Sequence, residues 1–323
     1  MNRTELLQAM KDCYAANLPL FILGPPGIGK TDLVEYFANE NNVEFHSFNS
    51  ATLDPSSFGI TTPRIDNSAC DIVPTAEFVD PKEGSVFFYD EIDKIEELIQ
   101  NTLLPLVQNN RLHSRKLNKR WNVFAGNRAQ DSKASHALSP ILKGRGVVVE
   151  YDGPTLNEWL EYAMAHNADY RIMAFLKEKP HYLNMYDPNA DASPTHRQWM
   201  NVNKIINSPV RPFLTKGLIG AKAAADFEVY TKLTSRIPDF NALLIMTGYT
   251  LPDDFVLRSL LAMMIAAKLD GTNAPKLKYI IDQFSPEFIV MIFKQAQSRP
   301  NNNLGPFIMQ NGYFNQLNQA LYG

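Results

Sequence analysis

The sequence predicts an α/β fold, a parallel sheet layered with helices over residues 1–150, followed by an all-helical region over residues 151–323. Two observations predict it. In the first half, short apolar runs alternate with helical segments, at Phe21–Leu23, Val43–Phe48, Val86–Tyr89, Val123–Ala125 and Val147–Val149, which is how strands buried on both faces read. After Tyr151 such runs nearly vanish, and apolar residues recur at helical spacing around Trp159–Leu176, Trp199–Ile206, Asp253–Ala267 and Pro286–Ala296.

Taken in order, an amphipathic helix from Thr4 to Ala16 precedes the first strand. Helices are then predicted at Lys30–Asn39 and Ile92–Gln108, the second from the spacing of Ile95, Leu98, Leu103 and Val107. Asp152-Gly153-Pro154 is a turn, and Thr155 with Glu158 forms a capping box that starts the next helix. Ser285 followed by Pro286 marks another helix start.

The net charge of −3 gives no global attraction to nucleic acid or anionic membranes. No apolar run is long enough to span a bilayer, and Met1–Met10 lacks the apolar stretch of a secretory leader. With only Cys13 and Cys70, a disulfide framework is not expected and a reducing cytoplasm is. The histidines are scattered, none in an HExxH arrangement.

Gly24-Pro25-Pro26-Gly27-Ile28-Gly29-Lys30-Thr31 matches G-x-x-x-x-G-K-[ST] at every fixed position, with a strand before it and a helix after. Glycines let the backbone turn its N–H groups toward phosphate oxygens, and the helix adds its positive N-terminal end. Lys30 brings a mobile charge to the β- and γ-phosphates, and the Thr31 hydroxyl can ligate Mg²⁺. The stretch assigned to ATP runs from Gly24 through Asp32. Phe87-Phe88-Tyr89-Asp90-Glu91 is a buried strand ending in two carboxylates. Asp90 would support Mg²⁺ and Glu91 would polarise the attacking water. Asp-Glu alone is more often a surface pair; with Lys30-Thr31 upstream it reads as a hydrolytic centre. In Val123-Phe124-Ala125-Gly126-Asn127-Arg128, Asn127 could orient that water, although an Asn after Gly is also a common turn.

Together these segments resemble the AAA+ superfamily, and within it the MoxR-type ATPases of the divergent, phage-like branch. Leu53-Asp54-Pro55-Ser56-Ser57-Phe58-Gly59 looks like the segment before the helix-2 insertion of that branch. Residues 63–79 would be the insertion, ending in Thr75-Ala76-Glu77-Phe78. The resemblance implies a five-stranded sheet of order 5-1-4-3-2, a helical lid, and a homo-oligomeric ring, a hexamer, with ATP between subunits. It makes Asn127 the first sensor. Arg145, in Leu138-Ser139-Pro140-Ile141-Leu142-Lys143-Gly144-Arg145, becomes the arginine acting on a neighbour's γ-phosphate, with Lys143 as the alternative. Arg197, in Thr195-His196-Arg197-Gln198-Trp199, becomes the second sensor. The work implied is remodelling or activation of a client protein, such as one with a von Willebrand factor A-type domain. Two alternatives stay open: a motor or loader on DNA or RNA, and an ATP-gated scaffold with negligible turnover. Arg111, Arg115, Lys116, Lys119 and Arg120 would serve the nucleic-acid reading; a solvated hairpin explains them equally simply.

Overall fold

A computed structural model describes residues 1–323 except Asp54, Gly59, Asn67, Pro74, Ala76, Glu77, Val79, Asp80, Pro81, His113, Ser114, Lys133, Ala134, Asn301 and Gly323. Of the segments taken to frame and form the insertion, Asp54, Gly59, Asn67, Pro74, Ala76, Glu77 and Val79 therefore lie outside the described residues. The chain divides into two compact units, Met1–Pro154 and Thr155–Gly323.

In the first unit the strands are β1 (Leu20–Leu23), β2 (Phe45–Asn49), β3 (Ile60–Pro63), β4 (Cys70–Val73), β5 (Ser85–Asp90), β6 (Arg111–Leu112), β7 (Arg115–Lys116), β8 (Arg120–Gly126) and β9 (Val147–Glu150). Five of them form one parallel sheet in the order β2-β5-β8-β1-β9. With these five strands numbered 1 to 5 in chain order and read from β9, this is the 5-1-4-3-2 order that the resemblance implies. The remaining four make two antiparallel hairpins, β3–β4 and β6–β7. An aromatic row crosses the sheet one or two residues short of its carboxyl edge. Phe21 stacks on Phe124 with ring centres 4.7 Å apart, Phe124 on Tyr89 at 4.8 Å, and Tyr89 on Phe48 at 5.4 Å. These are also the residues in register on adjacent strands, so ring packing and hydrogen bonding specify the same pairing.

The helices of this unit are α1 (Arg3–Ala16), α2 (Lys30–Glu40), α3 (Glu97–Thr102), α4 (Leu104–Asn109) and α5 (Pro140–Lys143). The single helix expected over Ile92–Gln108 is not formed. A 3₁₀ turn spans Ile92–Lys94, Glu96 is extended, and the helix resumes as α3 and then α4. Pro105 in the first turn of α4 lacks the N–H that would continue the ladder from α3. The apolar stripe misled as well: Leu98 is 77% exposed, while Gln100 is buried and donates to the carbonyls of Ile95 and Ala137.

The second unit is helical: α6 (Leu156–Ala165), α7 (Tyr170–Glu178), α8 (His196–Ile205), α9 (Arg211–Ile219), α10 (Ala221–Thr231), α11 (Phe240–Leu243), α12 (Phe255–Lys268), α13 (Ala274–Ile281), α14 (Pro286–Gln297), α15 (Gly305–Gln310) and α16 (Tyr313–Tyr322). Its core gathers Trp159, Phe175, Trp199, Phe227, Met263 and Met264. α12 is buried nearly all round, packed against α7 and α14, as a helix apolar on every side must be. The Thr155–Glu158 capping box forms on α6. Ser285 occupies the N-cap of α14 but its side chain caps nothing there. Among the described residues no helix is long and apolar enough to cross a membrane.

Candidate functional site

The carboxyl edge of the sheet gathers most of the residues singled out in the sequence. β1 ends at Leu23 and the chain enters the loop of Gly24, Pro25, Pro26, Gly27, Ile28 and Gly29 before α2 begins at Lys30. Gly27 and Gly29 take φ of 74° and 86°, left-handed backbone that favours glycine. Gly24 is required by contact instead: a Cβ there would meet the Tyr151 carbonyl oxygen at 2.1 Å. Ile28 is buried in the core between sheet and helices, anchoring the loop from below. Gly29 caps α2 without a side-chain bond, which leaves the first-turn N–H groups open to an anion. Lys30 is buried, its ammonium donating to the carbonyls of Gly24 at 2.8 Å and Pro25 at 2.9 Å. Asp32 is exposed in the first turn of α2.

Thr31 Oγ1 donates to Asp90 Oδ2 at 2.7 Å. Residues far apart in sequence thus meet as two adjacent oxygen donors, the ligand type a hard cation such as Mg²⁺ takes. These residues fit that ion. Asp90 Oδ1 accepts from the Glu91 N–H at 2.9 Å. Glu91 itself is exposed and holds φ 56°, ψ 36°, a conformation that costs about 1–2 kcal/mol outside glycine.

Asn127 follows β8 at the same edge, and here the structure adds a residue that the sequence reading missed. Asp93 is 1% exposed. Its Oδ1 accepts from Asn127 N at 2.9 Å and its Oδ2 from Asn127 Nδ2 at 3.1 Å and Ser135 Oγ at 2.5 Å, with Lys94 Nζ 3.3 Å away. Burial alone would push the Asp93 carboxyl up, but the bonds from Ser135 and Asn127 hold it below its ordinary range. The signal was Gly126, where a Cβ would sit 2.9 Å from Asp93 Oδ1. Arg128, next in the motif, is turned to Asp131 at 2.6 Å and Asp152 at 2.8 Å.

Residues 19–145, under half of the chain, match the AAA domain (dynein-related subfamily). The first unit has the AAA+ P-loop fold. Among solved structures, the chain is similar to NtrX from Brucella abortus in complex with ADP, with TM-score 0.42 and 14% identity over 86% of this chain and 64% of that one. It is similar also to the Holliday junction branch migration motor RuvB from Thermotoga maritima, with TM-score 0.37 and 16% identity over 96% of this chain and 87% of that one. The chain therefore spans less than two thirds of the NtrX chain. No curated protein matches it.

Other predicted residues of the first unit lie away from this edge. Arg145 and Lys143 are exposed just before β9, near the amino edge of the sheet. The Gln108 amide oxygen, turned toward Arg145, accepts from its Nη1 at 3.0 Å. Gly146 is required by the backbone: a Cβ there would meet the Pro19 carbonyl oxygen at 2.3 Å. The basic cluster does not form one surface. Arg111, Arg115, Lys116 and Lys119 are exposed, but Arg120 is 1% exposed, its guanidinium 4.2 Å over the Phe87 ring, and Trp121 is equally buried. In the second unit Arg197 is exposed in the first turn of α8, whose N-cap Thr195 accepts from Gln198 N at 3.3 Å.

Proposed function

We propose that this chain hydrolyses Mg·ATP as a MoxR-like AAA+ ATPase and uses the energy, as a homo-oligomeric ring, to remodel or activate a partner protein. The observation that carries the hydrolytic part is the 2.7 Å bond between Thr31 and Asp90, which joins the phosphate loop to the carboxylate strand. Lys30 exchanges the carbonyls of Gly24 and Pro25 for phosphate oxygens, together with the open N–H groups of α2 and the loop. Mg²⁺ held by Thr31 and Asp90 would neutralise phosphate charge. Glu91, one residue beyond Asp90 and open to solvent, polarises the attacking water, and Asn127 orients it. Arg145 acts on the γ-phosphate of a neighbouring subunit, and Arg197 senses the bound nucleotide. The ring, a hexamer in the family, and a client of the von Willebrand factor A type rest on resemblance alone, and a cytoplasmic location rests on the two cysteines, Cys13 and Cys70. Burial of Arg120 removes one cation from the nucleic-acid alternative.

Paired variants test the proposal. Lys30→Ala should weaken Mg·ATP binding about 100-fold or more, since a phosphate charge loses its partner. Glu91→Gln should bind normally and turn over about 100-fold or more slowly. Calorimetry showing undiminished binding by Lys30→Ala would refute the phosphate site. Undiminished turnover by Glu91→Gln would refute its role as the base. A Glu91→Gln form that still supports cellular function would favour the ATP-gated scaffold.

A further inference from the structure

The hydrolytic reading uses Tyr89–Glu91 and stops two residues short of Asp93, the most buried carboxylate of the segment. A buried carboxylate left unsatisfied costs several kcal/mol; beside the Ser135 hydroxyl and the Lys94 ammonium, this one holds Asn127 twice, through both its backbone N–H and its side-chain amide. An asparagine side chain rotates freely between broad wells about its last torsion, and its two ends differ: two donor hydrogens on Nδ2, acceptor lone pairs on Oδ1. A carboxylate can only accept. Asp93 therefore selects the Nδ2 end and fixes the plane of the amide. The Asn127 oxygen and the second Nδ2 hydrogen, which make no hydrogen bond among the described residues, are left in one orientation. The approach is possible because residue 126 is glycine. We propose that Asp93 is a positioning residue, which pins the Asn127 amide so that its remaining donor and acceptor meet phosphate and water without reorganisation. This rests on the ATPase reading above, because it assigns Asp93 a part in the same reaction.

A mutant cycle in ATP turnover tests it. Asn127→Ala should lower kcat about 100-fold, the scale for losing one preorganised donor, with KM and Mg·ATP affinity within about threefold. Asp93→Ala should lower kcat by about 10- to 100-fold with affinity equally preserved, and should add nothing in the Asn127→Ala background. Losses that multiply would overturn the proposal, because Asp93 would then act independently of Asn127. Should Asp93→Ala not fold, by thermal unfolding and Mg·ATP binding, near-isosteric Asp93→Asn decides. Its single oxygen can replace only part of the pin, so an intermediate kcat loss supports the proposal and a wild-type kcat overturns it. Ser135→Ala removes another bond to the same carboxylate without touching Asn127, and kcat within about twofold is expected; a loss matching that of Asp93→Ala would mean general loosening and overturn the pin. Wild-type protein that hydrolyses ATP while Asp93 variants do likewise sinks the pin alone. Wild-type protein that binds but never hydrolyses sinks the ATPase reading and the pin with it.

Discussion

The two edges of the central sheet treat charge in opposite ways. At the carboxyl edge three polar groups have specific partners: Lys30 the carbonyls of Gly24 and Pro25, Thr31 the Asp90 carboxylate, Asn127 the Asp93 carboxylate. At the amino edge β8 starts with Arg120, as buried as Asp93, yet among the described residues it has no carboxylate. Its Nη2 donates to the Phe78 carbonyl at 3.2 Å and its Nε to the Asn118 carbonyl at 3.4 Å, while Nη1 has no partner among the described residues. Desolvation holds the guanidinium below its ordinary pKa, whereas the bonds to Asp93 overcome the same penalty. A charge at one edge is there for directed contacts. At the other it is tolerated for packing: the Arg120 stem and its stack on Phe87 fill the interior.

Three experiments sharpen or break that division. The largest effect is expected at Arg145, the exposed cation of the amino edge. Arg145→Ala should leave Mg·ATP binding nearly intact and slow turnover about 1,000-fold or more, if it acts on a neighbour's nucleotide. Mixing these subunits with Glu91→Gln subunits should restore activity; full activity of Arg145→Ala alone would return Arg145 to ordinary surface charge. Next comes stability. Arg120→Ala should destabilise the chain by about 2–4 kcal/mol in urea unfolding, through the cavity it leaves. Arg120→Met should recover most of that loss, because volume rather than charge is wanted there, with turnover within about twofold. A collapse of turnover in folded Arg120→Met would break the comparison. The smallest effect concerns acid. The folded pKa of Asp93 lies below its ordinary 3.8, so its stabilisation is present above that value and is lost as pH falls through the folded pKa. Asp93→Asn cannot titrate, so its urea midpoint should fall less steeply than that of wild type between about pH 5 and pH 2. Equal slopes would show that the buried carboxylate gains nothing from its bonds.

What the sequence made legible was contiguous. The loop from Gly24 to Thr31 carries its chemistry in consecutive residues, and the middle strands β1, β5 and β8 each hold an apolar run, so phosphate site and sheet centre could both be read directly; β2 and β9, expected as strands buried on both faces, are the sheet's margins, where only Phe48 and Val149 are buried. What stayed hidden depends on meetings in space. Asp93 and Asn127 are 34 positions apart, and nothing local marks the carboxylate as buried. Arg120 follows Lys119 and read as one more surface charge, although all seven residues of β8 are buried. The break at Pro105 was missed because the apolar spacing continues through it, and spacing does not register a missing N–H.

The stacked rings of Phe21, Phe124, Tyr89 and Phe48 act as a ruler laid across four strands. Slipping any one of them by a single residue would turn its ring to the opposite face and would carry that strand's tip about 3.3 Å along its axis. A shift of β5 on that scale would part Asp90 from Thr31. The meeting of the hydroxyl and carboxylate that would grip the metal therefore depends on a register held by rings in the interior, at a distance from the site itself.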